Sequence, residues 1–255
     1  MNLALQGQSV AVFGSSQGIG RGIAEGFCAE GCLVRGFDRS PTADTPPFAT
    51  TLGDVTSFAA VQAFAASFAS IDHVVFAVGA GSGKLGFPFW NLAPSDWARV
   101  LDVNLVAAVN VAHAFAPGLI ARGAGSFLVL TSVAGQIGSQ TDPPYSAAKA
   151  GLINFMQCAA KDFAPHNVRV NALSPGMVQT ALNESVWAAG QASLPAGQRR
   201  SYADWAAEKI RKISPLGRWQ TPPEFAAMAT FLASAHAQNI TGQTINIDGG
   251  QVMHA

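Results

Sequence analysis

Residues 9–20 read SVAVFGSSQGIG and contain the clearest indication of the fold. A short apolar run typical of a buried strand leads directly into Gly14, Gly18 and Gly20. Glycines at such a turn permit positive φ and let backbone N–H groups approach a pyrophosphate, while a following helix N-terminus favours negative charge. The spacing is G-x-x-x-G-x-G rather than the common G-x-G-x-x-G fingerprint, so a plain tight turn is the alternative.

The alternation of strand and helix continues along the chain. Strands are predicted at residues 9–13, 32–37, 73–77, 126–131, 168–173 and 244–247, and helices at 18–30, 57–68, 96–119, 144–163 and 222–233. Strands that are apolar at nearly every position predict a parallel sheet covered by helices on both faces. We therefore expect one domain over residues 1–255, with a long excursion at 177–213 that is typical of a substrate lid.

Charge and hydropathy exclude several classes of partner. Fifteen basic residues balance fifteen acidic ones, which argues against nucleic acid and anionic membranes as partners. Hydrophobic residues make up 49% of the chain, so a membrane segment or buried subunit surface is needed to explain them. The uncharged stretch 103–121 contains Asn104, Asn110, His113 and Pro117, which favours a buried helix over a membrane span.

The beginning of the sequence predicts a cytoplasmic protein. Its first fourteen residues contain no Lys or Arg before the apolar positions and no pattern of a cleavage site. No metal site is predicted from the spacing of the acidic, cysteine and histidine residues.

Asp38 lies eighteen residues after Gly20, at the end of the second predicted strand. A carboxylate there can accept hydrogen bonds from ribose hydroxyls and would repel a 2′-phosphate, so Asp38 favours NAD over NADP. Arg39 could pair with Asp38 or bind a phosphate, and both interpretations remain open. The glycine turn carries Gln17 rather than a basic residue, which removes one partner for a 2′-phosphate. A solvated carboxylate at the strand end is the alternative for Asp38.

Tyr145 and Lys149 are four residues apart at the predicted start of a helix, so their side chains share a face. A phenol has a pKa of about 10 in water, and we expect Lys149 with a second positive charge to lower it. Ser132 follows a predicted strand, where its hydroxyl can hold a substrate oxygen. The three residue types suit acid/base chemistry, although a lone Tyr-x-x-x-Lys pair also arises by chance.

Together these motifs resemble the short-chain dehydrogenase/reductase family, in its common branch of about this length. The resemblance covers nearly the whole chain and rests on Gly14, Gly18 and Gly20, Asp54-Val55, Asn104, Ser132, Tyr145 with Lys149, Ser174-Pro175-Gly176 and Asp248-Gly249-Gly250. It implies an α/β fold with a Rossmann-like, doubly wound, seven-stranded parallel sheet. It also implies a homotetramer or homodimer, in which helices around residues 103–121 and after Tyr145 would pair between subunits.

The resemblance also assigns roles within a hydride-transfer site. It implies that Tyr145 is the acid/base, that Ser132 positions the reacting oxygen, and that Lys149 binds the nicotinamide ribose. Asn104 would hold a water that relays protons; a helix-kink residue bonded to neighbouring backbone is the alternative. The implied cofactor-binding residues are Gly14, Ser16, Gln17, Gly18, Ile19, Gly20, Asp38, Arg39, Asp54, Val55, Gly79, Tyr145, Lys149, Pro175, Gly176, Val178 and Thr180.

Two positions depart from the family pattern. Phe13 stands where a threonine commonly precedes the first glycine, and Phe76-Ala77-Val78-Gly79 replaces the usual Asn-Asn-Ala-Gly. Polar side chains that tie the central strands together are therefore absent from these positions. We expect a more apolar adenosine pocket, with cofactor hydrogen bonds supplied by the backbone.

The loops beyond the strand ends give mixed signals about the substrate. Gln140 could bind a hydroxylated molecule, Trp187 could wall an apolar one, and Arg199 with Arg200 could bind an anion. A small secondary alcohol or ketone, like a sugar, polyol or hydroxy acid, is the leading substrate class. A 3-oxoacyl thioester reductase is the alternative enzyme, and a catalytically silent NAD-binding module is the alternative from another class.

Overall fold

The computed structural model describes residues 1–139 and 141–253. Seven parallel strands form one sheet in the order β3-β2-β1-β4-β5-β6-β7, which confirms the predicted doubly wound parallel sheet. The strands are β1 (Ser9–Phe13), β2 (Leu33–Asp38), β3 (Ala49–Leu52), β4 (His73–Phe76), β5 (Gly125–Leu130), β6 (Val168–Pro175) and β7 (Thr244–Ile247). Chain order reverses between β1 and β4, so a crevice opens there at the carboxyl ends of the strands.

Helices cover both faces of the sheet. They are α1 (Gly18–Ala29), α2 (Phe58–Ala66), α3 (Ser95–Leu101), α4 (Ala107–Arg122), α5 (Pro143–Phe163), α6 (Ala181–Ala192), α7 (Tyr202–Ile213) and α8 (Pro222–Ala233). A π-helical turn at Asp102–Val106 joins α3 to α4, so the predicted helix 96–119 is one long helix with an irregular turn. Helices α1 and α8 pack together on one face, while α2, α4 and α5 cover the other.

Strand β3 is missing from the strands predicted by apolar pattern. Its four residues, ATTL, pair only with β2, and three of the four are exposed. An edge strand gains little from burial, so it carries no apolar run for a pattern to detect. The other observed strands agree with the predicted ones to within two residues at each end.

Phe13 lies at the centre of an aromatic core beneath the sheet. Its ring centroid is 5.2 Å from Phe37, 5.5 Å from Phe64 and 5.7 Å from Phe115, with the last two contacts edge to face. The side chain is fully buried. Aromatic packing therefore stands where a polar side chain would tie the strands together.

In the part of the chain that the structure describes, one helix, Ser95–Arg122, is long and apolar enough to cross a membrane. Val111, Phe115 and Leu119 on its inner face belong to the core cluster under the sheet. We interpret it as a core helix, in agreement with the interpretation of residues 103–121.

A buried histidine at the other end of the sheet should make stability pH-dependent. His73 contacts Ser126 through Nδ1 (2.9 Å) and Gln8 through Nε2 (2.6 Å), and burial lowers its pKa to about 3. An unfolded histidine has a pKa of about 6.5, so the unfolded chain binds more protons below that pH. The stability contributed by neutral His73 is therefore complete above about pH 6.5 and is lost as pH falls toward about 3.

The expected loss from this residue is about 1.4 kcal/mol per pH unit between roughly pH 6 and pH 4. The free energy of unfolding in urea, measured across this range, checks the slope. His73→Gln, which keeps hydrogen-bonding capacity without a titrating ring, should flatten it. Equal slopes in the two proteins would assign the pH dependence to other groups.

Candidate active site

The turn between β1 and α1 has the backbone shape that its glycines predict. Gly14 and Gly18 have φ values of +82° and +57°, which side-chain-bearing residues rarely adopt. A Cβ on Gly20 would lie 2.1 Å from the Gly14 carbonyl oxygen, and one on Gly14 would lie 2.9 Å from the Ala77 carbonyl oxygen. The turn is therefore packed against the end of β4, and only glycine fits at these positions.

The start of α1 suits an anionic group such as a pyrophosphate. Gln17 occupies the N-cap position without a side-chain cap, and the first helical turn contains no acidic residue. Ile19 and Gly20 follow within this first turn. Within the described chain these helix N–H groups are therefore uncapped, and the helix dipole adds favourable positive potential there. The glycine turn consequently fits the phosphates of a dinucleotide.

Asp38 is the last residue of β2 and lies next to this turn, where its carboxylate accepts hydrogen bonds from backbone N–H groups. Its Oδ2 accepts a hydrogen bond from Ser16 N–H (2.9 Å) and its Oδ1 accepts one from Ser40 N–H (3.1 Å). Each oxygen keeps a lone pair that can accept a ribose hydroxyl. Arg39 is exposed and forms no ion pair with Asp38 or with other carboxylates of residues 1–139 and 141–253. The structure thus favours an unpaired Arg39 over a pair with Asp38.

The remaining predicted cofactor residues follow strands at the same edge of the sheet. Asp54 follows β3 and accepts hydrogen bonds from the Thr56 N–H (2.9 Å) and hydroxyl (2.8 Å), which hold its pKa below the usual range. Its neighbour Val55 is buried. After β6, the chain crosses in front of α1, where the Thr180 Cγ2 atom would lie 3.4 Å from a Cβ on Gly18.

The segment between β6 and Thr180 is held close to the end of β7. Pro175 and Val178 are buried, and a Cβ on Gly176 would lie 2.9 Å from the Cα of Asp248. Val178 forms a parallel bridge with Gln220. This backbone therefore has a fixed path along the crevice.

Ser132, Tyr145 and Lys149 come together where β4 and β5 end. Gly79, after β4, faces this group: a Cβ on it would lie 3.7 Å from Lys149 Nζ and 4.0 Å from Tyr145 Cε2. Lys149 is buried and donates hydrogen bonds to the carbonyl oxygens of Leu130 (2.8 Å) and Val78 (3.3 Å). These carbonyls at the ends of two adjacent strands fix the ammonium at the crevice.

The Ser132 hydroxyl is oriented by its own turn. It accepts a hydrogen bond from Ala134 N–H (3.1 Å), so its proton is free to point elsewhere. A hydrogen bond between the Ser132 and Tyr145 side chains lowers the pKa of the phenol. Ser132 and Tyr145 can therefore hold the same reacting oxygen.

The pKa of Tyr145 lies above the ordinary value for a phenol. Burial and, to a smaller extent, the negative charge of Asp142 together raise it to about 12, against the lowering effect of the Ser132 hydrogen bond. Lys149 Nζ lies 5.5 Å from the centroid of the Tyr145 ring and is engaged by backbone carbonyls, and burial lowers the Lys149 pKa to about 7. The lysine alone does not ionise the tyrosine because desolvation disfavours the charge on both groups.

Asn104 lies in the π-helical turn and is fully buried. Its Oδ1 accepts a hydrogen bond from Ala80 N–H (3.2 Å), and its Nδ2 donates to the carbonyl oxygens of Ala80 (2.7 Å) and Val100 (2.8 Å). The side chain thus has the contacts of the helix-kink alternative. It also fixes the loop after β4, one residue beyond Gly79, against the candidate site.

The excursion at 177–213 contains α6 and α7, joined by aromatic contacts. Trp187 and Trp205 both contact the ring of Tyr202, at 5.8 and 6.0 Å between centroids. Arg200 forms an ion pair with Glu208, whereas Arg199 donates to the Leu194 carbonyl oxygen (3.1 Å).

Not all predicted substrate residues meet at the candidate site. Within residues 1–139 and 141–253, the side chains of Trp187, Arg199 and Arg200 make their polar and ring contacts inside the excursion and not with Ser132, Tyr145 or Lys149. Gln140, the fourth predicted substrate residue, lies outside the described residues.

Sequence reasoning missed one polar link at the site. Gln136 Nε2 donates to Asn246 Oδ1 (2.7 Å) and to Ser174 Oγ (2.9 Å), while Asn246 Nδ2 donates back to Gln136 Oε1 (3.1 Å). The two amides are 110 positions apart, so no local pattern announces the contact. It ties the loop after Ser132 to β6 and β7.

Comparisons with known proteins agree with this geometry. The family described as enoyl-(acyl carrier protein) reductase matches residues 14–252. Nodulation protein G of Rhizobium meliloti is 33% identical, with 98% of each chain covered. The 3-oxoacyl-acyl-carrier-protein reductase of Chlamydia muridarum is 31% identical, over 98% of this chain and 99% of the relative.

Among solved structures, the aldohexose dehydrogenase of Thermoplasma acidophilum superposes with a TM-score of 0.87 at 28% identity, covering 99% of this chain and 97% of that one. The similarity extends from the glycine turn to the last strand and includes relatives at or above 30% identity along nearly the full length. The chain is an oxidoreductase of the short-chain dehydrogenase/reductase family, which binds a nicotinamide cofactor.

Proposed function

We propose that the protein transfers a hydride between a nicotinamide cofactor and a small secondary alcohol or ketone, with Tyr145 as the acid/base. The observation that carries the proposal is the convergence of Ser132, Tyr145 and Lys149 beside Gly79, at the edge of the sheet that also holds the glycine turn. The bound nicotinamide supplies or accepts the hydride. Reduction of a ketone then needs one proton on the oxygen, and the Tyr145 hydroxyl donates it.

Each of the three side chains has a separate task in this proposal. The Ser132 hydroxyl donates a hydrogen bond to the substrate oxygen and accepts one from Ala134 N–H. Lys149, held by the Leu130 carbonyl oxygen, binds the nicotinamide ribose and adds positive potential near the phenol. Asn104 keeps the loop after β4 in place. In the oxidation direction Tyr145 must act as a base, so its raised pKa places this activity at alkaline pH.

Sugar-like and polyol-like substrates are our leading class. The aldohexose dehydrogenase supports it as a structural neighbour at 28% identity. Reduction of 3-oxoacyl thioesters is the second candidate, favoured by relatives such as the reductase of Chlamydia muridarum. The neutral charge balance and the pairing of Arg200 with Glu208 argue against a basic surface for an acidic carrier.

A substrate screen tests the proposal. Change in reduced-nicotinamide absorbance is followed with sugars, polyols, keto acids, simple hydroxyketones and acetoacetyl thioesters. Turnover of hydroxylated ketones or alcohols above the thioesters supports the leading class, and the reverse order supports the second. Tight cofactor binding without turnover of any compound would favour a catalytically silent module.

We propose NAD as the preferred cofactor because Asp38 faces the glycine turn. Asp38→Asn removes the charge that repels a 2′-phosphate, and the amide keeps one acceptor for the backbone. The ratio of kcat/KM with NAD to that with NADP should fall by roughly tenfold, equivalent to about 1.4 kcal/mol. Arg39→Gln is the companion variant and should lower only the efficiency with NADP. A ratio unchanged by Asp38→Asn would show that this carboxylate does not select the cofactor.

We also propose a cytoplasmic homotetramer or homodimer. Val106, Val109 and Ile120 are exposed apolar side chains on or beside α4, although the inner face of the helix is buried. A second copy of the chain would cover this outer face and account for the high apolar content.

A further inference from the structure

A buried carboxylate beside the candidate site has no task in the proposed reaction. Asp142 directly precedes α5, three residues before Tyr145, and is only 9% exposed. Its Oδ2 accepts a hydrogen bond from Ser82 N–H (2.7 Å). Its Oδ1 is buried and has no hydrogen-bond partner among the described residues. Half of the carboxylate is therefore unsatisfied.

Helix capping does not explain this side chain. An aspartate before a helix normally accepts hydrogen bonds from N–H groups of the first turn. The first two residues of α5 are Pro143 and Pro144, which have no N–H group. The Tyr145 amide lies close enough to lower the pKa of Asp142, but the side chain makes no capping hydrogen bond of normal geometry.

An ion pair does not explain it either. Arg99, on α3, is the charged side chain that favours ionised Asp142, but its Nη2 donates to the Gly81 carbonyl oxygen (2.7 Å). Burial outweighs these contacts and raises the pKa of Asp142. A buried acceptor without a donor is destabilising, so folding does not account for this carboxylate.

The loop after β4 connects Asp142 to the candidate site. This loop begins at Gly79, against Lys149 and Tyr145, and reaches Asp142 three residues later through Ser82. A Cβ on Gly81 would lie 2.7 Å from Asp142 Oδ2, so the backbone presses against the carboxylate. The charge of Asp142 also disfavours the Tyr145 phenolate, which couples it to the reacting hydroxyl.

We propose that Asp142 is a specificity-determining residue that accepts a hydrogen bond from a substrate hydroxyl on the carbon next to the one that reacts. The inference rests on the proposed function. The hydrogen bond from Ser82 N–H to Asp142 Oδ2 holds the 79–82 loop against the carboxylate. A small outward movement of this loop would let the substrate hydroxyl reach Oδ1. A substrate with a plain alkyl group at this carbon leaves Asp142 Oδ1 unpaired, and a substrate carboxylate there is repelled by the charge of Asp142. The site therefore favours hydroxyketones and vicinal diols over oxoacyl thioesters.

Reduction of acetoin and butanone tests this inference, because the two ketones differ only in the hydroxyl on the neighbouring carbon. The wild-type protein should reduce acetoin roughly a hundredfold more efficiently, in kcat/KM, than butanone. Asp142→Ala should abolish most of this preference by lowering the value for acetoin, while butanone changes by less than about threefold. Equal efficiencies in the wild-type protein, or an equal fall for both ketones in the variant, would overturn the inference.

Two further variants separate recognition from structure. Asp142→Asn keeps an acceptor oxygen, so it should retain most of the acetoin preference even if the alanine variant folds poorly. Removal of the negative charge should also move the pH profile of alcohol oxidation to lower pH, since Asp142 no longer opposes the Tyr145 phenolate. Asp96→Asn is the matched control: its carboxylate pairs with exposed Lys84 (2.7 Å), and neither readout should change.

The possible failures are distinguishable. Turnover of none of the alcohols, ketones or thioesters would refute the proposed function and this inference together. Turnover without preference for the neighbouring hydroxyl, or a loss of preference in Asp142→Asn without a shift in its pH profile, would refute the inference alone.

Discussion

Tyr145→Phe is expected to lower kcat by roughly three orders of magnitude, because general acid/base catalysis contributes in this range. The substitution removes only the hydroxyl that hydrogen-bonds to Ser132, and the ring keeps its place beside Lys149. Steady-state rates of ketone reduction measure the loss, and titration of reduced-nicotinamide fluorescence measures the affinity for cofactor.

The affinity is the internal control for this variant. The affinity for cofactor should stay within about threefold of the wild-type value. The Tyr145 hydroxyl stabilises only the transition state of proton transfer, so its removal does not weaken ground-state binding of the cofactor. Ser132→Ala should give a smaller loss, since Tyr145 still supplies the proton. Retained turnover in Tyr145→Phe would show that another group transfers the proton.

Gly20→Ala is expected to lower cofactor affinity by more than about a hundredfold and to destabilise the fold by about 3 kcal/mol. The new Cβ would lie 2.1 Å from the Gly14 carbonyl oxygen and 3.0 Å from the Ala77 Cβ atom, so the turn must open. Its N–H groups would then move away from the phosphates. Cofactor titration and urea unfolding measure the two effects separately.

Gly190→Ala is the matched control for this substitution. Gly190 lies inside α6, and a Cβ there meets nothing within 4 Å. Alanine favours a helix over glycine by up to about 1 kcal/mol, so this variant should be as stable as the wild-type protein or more stable. Wild-type cofactor affinity in Gly20→Ala would contradict the assignment of the turn as the phosphate cradle.

The parts of the site that could be predicted from sequence depend on short spacings. The glycine turn follows a strand directly, and Tyr145 and Lys149 are one helical turn apart, so local geometry fixes them. Parallel strands then bring Ser132 and Asp38 to the same edge of the sheet. These positions follow from topology once the strands are known.

Features that depend on distant partners could not be predicted in this way. The Gln136–Asn246 pair joins residues 110 positions apart, and Glu208 engages Arg200 from the next helix. The raised pKa of Tyr145 arises because burial outweighs the hydrogen bond with Ser132, and sequence spacing contains no measure of burial. The unsatisfied Oδ1 of Asp142 likewise follows from how two loops pack.

Isotope transfer measures whether a hydride passes directly between the cofactor and the substrate at the Tyr145 site. The best ketone from the screen is reduced with nicotinamide cofactor that carries deuterium at the transferring position, and the product is analysed by mass spectrometry. We expect the alcohol to carry one deuterium on the former carbonyl carbon, at a rate that Tyr145→Phe reduces roughly a thousandfold. Product without deuterium, or equal labelling rates in the two proteins, would contradict the account.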